Sequence, residues 1–522
     1  MPFTLFQGAS SLQFMEPDGT ITTLTLPTGV TLDASKVPRF AIFGHYVVVV
    51  NSPSRPITVD ADGVVRVLTP NAPQTPPTTS DITGGSLSGT YAGITYTYVI
   101  FDAYRRIIAE SPMSPPGASV TAASDFIRAS NLQLSADTVN GIRLYRPTTG
   151  GTTLFQWLDL EGNVQTSVQD DLSDASLALV AAPTLGAPPR LSHIGEFRER
   201  LWGVSITDRD AVRYTETSKM YSWPSTNRIV IPREGSDDRG VTGILVRRDA
   251  LAVARQTSIV EIKGDSNANF RVVKLSQDVG VEADDSVAPF KDSIFFVAKD
   301  GVYEWSDSGL SCKSDGKVRS WFTSDTYFNR SRLKYAVGHV DLLTNKYQVL
   351  LSAAGSSDLD RWIEYDIIDQ TWWGPHKTDA FTPTWICTIL DSNHLKTPVL
   401  GSSTGFFFKE QAARTDLTST GIALDVDGKL HDMGSPDIAK YFGELSILSK
   451  EQASGTLTII PYVGDLDAPA GTPISATMTL DRQRLRRLGT GRYLKLTFQN
   501  STNAVDTEIY GYEIPFSELG RR

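Results

Sequence analysis

Three carboxylates stand among aromatic residues in a way that could serve sugar chemistry. They are Glu304 in Tyr303-Glu304-Trp305, and Glu364 and Asp366 in Glu364-Tyr365-Asp366. A glycosidase needs two carboxyl groups held roughly 5 to 10 Å apart, one as acid and one as base or nucleophile. Tyr303, Trp305, Trp362, Tyr365, Trp372 and Trp373 could supply stacking faces for sugar rings. The plainer reading is that acids alternating with aromatics mark the outward face of a strand. A fourth acid, Asp300, lies in "KDSIFFVAKDGVYEWS", Lys291 to Ser306. Here two apolar runs, Ile294 to Val297 and Val302 to Trp305, flank Lys299-Asp300-Gly301. Asp-Gly between such runs is a strong hairpin signal. Asp300 and Gly301 are therefore expected to form a structural turn of type I′, with positive φ at both positions.

Other chemistry finds little support. Asp60-Ala61-Asp62-Gly63 and Asp425-Val426-Asp427-Gly428 look like fragments of a calcium loop. Each lacks the third early ligand and the Glu six residues after the Gly, so both are expected to be turns. The six histidines, His45, His193, His339, His376, His394 and His431, are scattered singly. No HExxH or Walker A loop occurs. Cys312 and Cys387 are far apart and outside any CxxC, which argues against a disulfide scaffold or a zinc cluster. No catalytic residue, cofactor or metal site is expected.

The chain has 522 residues and a net charge of −10. Tight wrapping of nucleic acid draws its affinity from neutralised phosphates, and an acidic chain suits it poorly. An acidic wall can still let DNA pass without sticking. No run of 18 apolar residues is present, so no membrane insertion is expected. The start, MPFTLFQGASS, lacks the basic and apolar regions of a signal peptide, which leads to the expectation of assembly in a reducing cytoplasm.

The apolar residues fall in short Val, Ile, Tyr, Phe and Trp runs between Gly, Pro, Asn, Asp and Ser, an all-β pattern. The opening hairpin has sisters. Tyr46–Asn51, Arg200–Ser205, Ala250–Arg255, Lys346–Ser352 and Pro398–Ser402 are each followed by a second strand-like run. The units starting at 200, 250, 293, 346 and 398 are 50, 43, 53 and 52 residues apart. Periods of roughly 40 to 50 residues with about four strands each are those of β-propeller blades. About six blades are expected. The step from 46 to 200 exceeds one blade by roughly a hundred residues, the size of a small β-sandwich. Pro70 to Pro77 and Pro183 to Pro189 read as its linkers. The run "YTYVIFD…ESPMSPP…GIRLYRPT" resembles a fibronectin type III-like domain, the alternative being a long decorated loop. The expected organisation is residues 1–80 as N-terminal strands and first blade, 81–185 as inserted sandwich, 186–440 as propeller and 441–522 as a C-terminal β region. Tyr46–Asn51 is a candidate for closing the ring by pairing with the last blade.

One charge cluster stands out. Arg482, Arg484, Arg486, Arg487 and Arg492 lie within "DRQRLRRLGTGR". Alternation places Arg482, Arg484 and Arg486 on one strand face. The bland reading is a solvated edge guarded by charge. The sharper one is a docking strip for an acidic neighbouring subunit.

Between Phe197 and Trp305 the chain reads "FRERLWGVS", "AVRYTETSKMYSWP", "VTGILVRRDALAVARQTSIVEIKG" and "VAPFKDSIFFVAKDGVYEWS". Its end reads "GRYLKLTFQN…EIYGYEIPFSELGRR". Over about three quarters of its length this pattern of apolar and turn positions resembles the tail hub or nozzle proteins of short-tailed, podovirus-type bacteriophages. The resemblance implies a structural virion protein in a homo-hexameric ring under the portal and adaptor. It further implies a channel through which genomic DNA passes in transit, and docking surfaces for tail fibres or spikes. Two alternatives stay open. One is a carbohydrate-binding or carbohydrate-degrading propeller, as in a receptor-binding spike or depolymerase. The other is a collar or baseplate component of a long-tailed phage.

Overall fold

The computed structural model describes residues 4–8, 10–51, 54–177, 180–233, 239–378, 381–390, 393, 395–403, 407–409, 415–416, 420–421, 424–452, 455–500 and 509–519. Two units are resolved, Met1–Lys377 with Pro383–Lys409, and Thr378–Thr382 with Glu410–Arg522.

The first unit is a β-propeller. Six antiparallel meanders follow one another along the chain, each with its strands paired in sequence order. Blade 1 is Arg39–Phe43, Tyr46–Val50, Ile57–Val59 and Val65–Val67. Blade 2 is Leu191–Phe197, Arg200–Ser205, Ala211–Tyr214 and Arg228–Val230. Blade 3 is Gly243–Val246, Leu251–Ala254, Ile259–Lys263 and Arg271–Ser276. Blade 4 is Ala288–Phe290, Ser293–Ala298, Gly301–Ser306 and Gly309–Cys312. Blade 5 is Val337–Asp341, Lys346–Leu351, Arg361–Asp366 and Thr371–His376. Blade 6 has three described strands, Pro383–Leu390, Lys396–Ser402 and Phe407–Lys409. A further three-stranded sheet, Thr4–Gly8, Ser11–Met15 and Ile21–Thr23, precedes blade 1.

Each sheet packs face to face on the next. Val204 and Trp202 of blade 2 meet Leu251 and Val253 of blade 3. Ala252 and Ile259 of blade 3 meet Ile294 and Phe296 of blade 4. Phe295 and Val297 of blade 4 meet Tyr347, Val349 and Ile363 of blade 5. Leu350 of blade 5 meets Ile386 of blade 6. A middle strand is thus covered on both faces, which is why Ser293–Ala298 and Arg200–Ser205 are buried at every position. Full burial of one such apolar side chain contributes roughly 1.5–3 kcal/mol.

The six sister hairpins are the second and third strands of the six blades. The closure expected of Tyr46–Asn51 does not occur. That strand pairs with Arg39–Phe43 and Ile57–Val59 inside its own blade. The Gly44-His45 turn joins it to the preceding strand, which occupies the position that a closing partner would need. At the open end the Leu390 N–H of blade 6 reaches Thr4 Oγ1 of the N-terminal sheet at 3.5 Å.

The interval between blades 1 and 2 is a seven-stranded sandwich over residues 78–170, so the loop alternative falls. Its sheets run Ser167–Asp170, Val120–Ser130, Thr78–Tyr91 and Ile107–Glu110, Thr95–Phe101, Gly141–Pro147, Leu154–Glu161. Tyr91, Tyr96, Tyr98 and Trp157 lie in its core. It is braced on the propeller: Ile100, Ile108 and Ala109 pack with Leu201 and Trp223, and Arg55 pairs with Asp137 at 2.9 Å.

The second unit is another sandwich. One sheet is Leu424–Asp427, Tyr493–Asn500, Thr456–Gly464 and Ile474–Thr477. The other is Arg482–Gly491, Lys440–Ser449 and Ile509–Glu513, with Phe516–Glu518 also on Lys440–Phe442. The boundary expected at 441 therefore falls earlier, because Leu424–Asp427 pairs with Tyr493–Asn500. For the same reason Asp425–Asp427 is a strand segment rather than the expected turn. No helix among the described residues is long and apolar enough to cross a membrane.

Candidate functional site

The Asp300-Gly301 stretch is a hairpin, with a geometry different from the one expected. Ala298 pairs with Gly301, so the two loop residues are Lys299 and Asp300. Neither has positive φ, which rules out type I′. Gly301 is required for a different reason. A Cβ there would lie 2.1 Å from Ser314 Oγ, on the segment that returns under the hairpin. Asp300 accepts a hydrogen bond from the Tyr303 hydroxyl at 3.1 Å and pairs with Arg319 of the short helix Arg319–Thr323. It ties a helix to a turn.

The three acids of the hydrolase reading do not converge. Glu304 shares a strand face with Val302, which packs towards blade 5. Glu364 shares its face with Trp362, which packs towards blade 6. The two carboxylates thus lie on opposite sides of blade 5. Glu304 pairs with Lys313 at 2.7 Å. Glu364 is buried, pairs with Lys346 at 2.8 Å and accepts from Gln348 at 2.9 Å. Burial opposes its charge, but those partners prevail and hold the carboxyl below its ordinary value. Asp366 accepts the backbone N–H groups of Ile368 and Asp369 in a turn. Tyr303, Trp305 and Tyr365 are buried between blades, and the Trp372 indole donates to the Lys313 carbonyl. Trp373 alone of the six aromatics is well exposed, at 56%. Glu304→Gln is accordingly expected to leave any polysaccharide-directed activity unchanged. Glu364→Gln is expected to cost about 1–3 kcal/mol in urea unfolding, because Lys346 loses its buried partner. A cleavage activity abolished by either variant in folded protein would overturn this account.

The remaining candidates are structural. Asp60 Oδ1 accepts the N–H groups of Asp62 and Val64, the turn expected there. Asp427 pairs with Lys495 at 2.7 Å. His339 Nε2 lies 2.7 Å from Thr388 Oγ1, and burial pushes the imidazole down to about 4. His431 Nε2 lies 3.2 Å from the Tyr512 hydroxyl, and His394 lies outside the described residues. Burial pushes the Cys387 thiol up to about 11. Among the described residues no three His, Cys, Asp or Glu side chains gather to hold a metal.

The arginine strand takes the expected form. Arg482, Arg484 and Arg486 are exposed, while Leu485 and Leu488 turn into the sandwich core. Arg482–Gly491 pairs with Lys440–Ser449 on one side and, among the described residues, is the outer strand of its sheet. Arg482 pairs with Glu513 at 2.8 Å, Arg486 donates to the Thr472 carbonyl, and Arg492 lies 3.7 Å from Asp465. Arg484 and Arg487 have no ion-pair partner among the described residues. Ten residues of edge backbone thus carry a row of cations in an acidic chain.

One polar constellation had no signature in the sequence. Residues near the starts of four innermost strands meet. Arg39 of blade 1 pairs with Asp285, and His193 of blade 2 lies 3.3 Å from Asp284. Arg239, ahead of blade 3, pairs with Glu282 at 2.9 Å and lies 3.4 Å from Asp284. Burial works against both aspartates. His193, Arg39 and Arg239 nonetheless hold Asp284 below its ordinary value. Asp285 is raised, by burial first, with the Asp284 charge adding to it and Arg39 opposing. These links staple four blades. Their members are up to 246 residues apart, so no local pattern could announce them.

No protein family matches the chain, and no curated protein is similar to it in sequence. Among solved structures it is similar to the WD40 β-propeller domain of Doa1, at 9% identity and a TM-score of 0.27, over 72% of this chain and 94% of that one. It is also similar to YCF48 bound to D1 peptide, at 10% identity and a TM-score of 0.24, over 67% and 90%. A third is an exo-β-1,3-galactanase from Phanerochaete chrysosporium, at 7% identity and a TM-score of 0.19, over 92% and 95%. Likenesses this slight support no function, and the propeller stands on the sheet order given above.

Proposed function

We propose that this chain is a non-enzymatic structural subunit of a phage tail, of the nozzle or hub type. In this reading it forms a homo-hexameric ring in the virion that conducts genomic DNA and docks adaptor proteins and fibres or spikes. The observation that carries the reading is the exposed arginine row on the outer strand Arg482–Gly491. An edge strand invites a neighbouring chain, and its charges choose an acidic one. A chain of net charge −10 offers such a surface on its own copies. The scattered acids and buried aromatics favour a scaffold over a carbohydrate-active site. The mechanism is passive: acidic subunits guide DNA without gripping it.

The test is light scattering and electron microscopy of purified protein and particles. A closed ring of about six 57.0 kDa subunits is expected. The triple variant Arg482→Glu/Arg484→Glu/Arg486→Glu should remain monomeric, with only a small fall in thermal midpoint because the Arg482–Glu513 pair it breaks is exposed. A wild-type chain that stays monomeric at high concentration and is missing from tails would sink the proposal.

A further inference from the structure

A concavity of about 460 Å³ opens beside the interblade connections of blades 3 to 5. It is lined by Arg239, Gln256, Glu282, Lys299, Arg330 and Lys334, with Ser331 and the buried Leu333. These residues come from separate segments. Gln256 lies in the turn between the middle strands of blade 3, and Lys299 in the equivalent turn of blade 4. Arg330 and Lys334 project from the 3-10 turn Arg330–Tyr335, which leads into blade 5.

The charges in this hollow do not cancel. Glu282 is its one lining acid, and that carboxylate is already engaged by Arg239 at 2.9 Å and by Gln256 at 2.7 Å. Lys299 and Arg330 are exposed, and neither side chain has an ion-pair or hydrogen-bond partner among the described residues. Asp325 lies near Arg330 but caps its backbone N–H, at 2.9 Å. The Lys334 ammonium lies 5.1 Å over the Tyr335 ring and has no ion-pair partner among the described residues. Among the described residues, three cations thus face one concavity without an ion-pair partner, in a chain whose net charge is −10.

Like charges held close without a partner cost free energy, and a polyanion between them relieves it. The volume is in the range of ligand sites rather than of a single ion. Lysine and arginine together supply point charge and a planar fork, the pair of donors used for phosphate oxygens. We infer that this concavity binds a run of phosphate groups, with Lys299, Arg330 and Lys334 as the contacting cations. Arg239 also lines the hollow, held by Glu282. The phosphates could be those of a free oligophosphate or of a nucleic-acid backbone. The inference does not depend on the tail reading.

The test uses the full chain with two probes, sodium triphosphate and a dye-labelled eight-nucleotide single-stranded DNA, at ionic strength held constant with sodium chloride. Triphosphate is expected to raise the thermal midpoint of the wild type. The triple variant Lys299→Gln/Arg330→Gln/Lys334→Gln should lose that shift, with a ligand-free midpoint no lower than that of the wild type, since the mutual repulsion is gone. The single variants Lys299→Gln and Arg330→Gln, at exposed positions, should each weaken binding about tenfold and serve if the triple variant misfolds. Anisotropy of the labelled DNA separates the sources. Binding that triphosphate displaces and the variants abolish assigns the site to a nucleic-acid backbone. Triphosphate binding without DNA binding assigns it to a free oligophosphate. Equal affinity of wild type and variants for both probes would overturn the inference.

Discussion

Gly301→Val is expected to destabilise the propeller by about 3 kcal/mol in urea or thermal unfolding, the upper part of the usual range for overpacking. Two causes add: φ is +157° at Gly301, a backbone conformation that a β-branched L side chain rarely adopts, and the space is occupied. A Cβ would meet Ser314 Oγ at 2.1 Å and Cys312 Sγ at 3.7 Å. Ser314 cannot move aside cheaply. It is fully buried, and its Oγ accepts the Val302 N–H at 3.1 Å, so displacing it orphans a backbone donor. The branched Val side chain would also push apart the strands that carry Phe295, Phe296 and Val302, which hold blade 4 to both neighbours. Asp300→Asn is the matched control. Its pair with Arg319 is substantially exposed, and an Asn oxygen can still accept from the Tyr303 hydroxyl. A change below about 1 kcal/mol is expected. A silent Gly301→Val, or an Asp300→Asn that abolished an activity in folded protein, would refute this assignment of roles.

The second large effect is with pH. His339 lies between blades 5 and 6, and burial holds it neutral down to about 4, with nearby Asp341 opposing. In the unfolded chain it takes its proton near 6.5. The unfolded state therefore binds the proton first as pH falls. Stability is fully present above about 6.5 and is lost progressively down to about 4, by an amount on the order of 3 kcal/mol. His376, also depressed by burial, acts in the same sense. Glu110 and Asp285, raised chiefly by burial, act in the opposite sense. Comparison with His339→Gln removes those contributions. The variant, whose amide can still reach Thr388, should show a clearly flatter profile of unfolding free energy between pH 6.5 and 4.5. Parallel profiles for the two proteins would show that His339 gains its proton as easily folded as unfolded.

How much of the molecule was legible in the sequence follows from where each residue is covered. The six hairpins could be read because the middle strands of a blade touch neighbouring blades on both faces. That requires short continuous apolar runs, such as Ile294 to Val297 and Val47 to Val50, set at a blade's period. The inserted sandwich was legible for a similar reason, as an excess of residues rich in tyrosine strands. Innermost strands were not, since Leu191–Phe197 mixes Ser, His, Gly and Glu with its apolar residues. Closure was misassigned because Arg39–Phe43, with an exposed Phe40 and Ile42, gives little sign of being a strand.

The same division holds for the chemistry. Alternation alone placed Arg482, Arg484 and Arg486 on one face, because strand parity is a local property of the backbone. It could also assign Asp300 to a turn. Which faces then adjoin is decided by packing over long separations. Only the stacking of blades put Glu304 and Glu364 on opposite sides of one sheet, where they cannot act together. Only the return of the chain beneath the hairpin set Ser314 against Gly301. Lys299, Arg330 and Lys334 are unremarkable surface cations in the sequence, and they share one hollow because loops from successive blades emerge on the same side of their sheets.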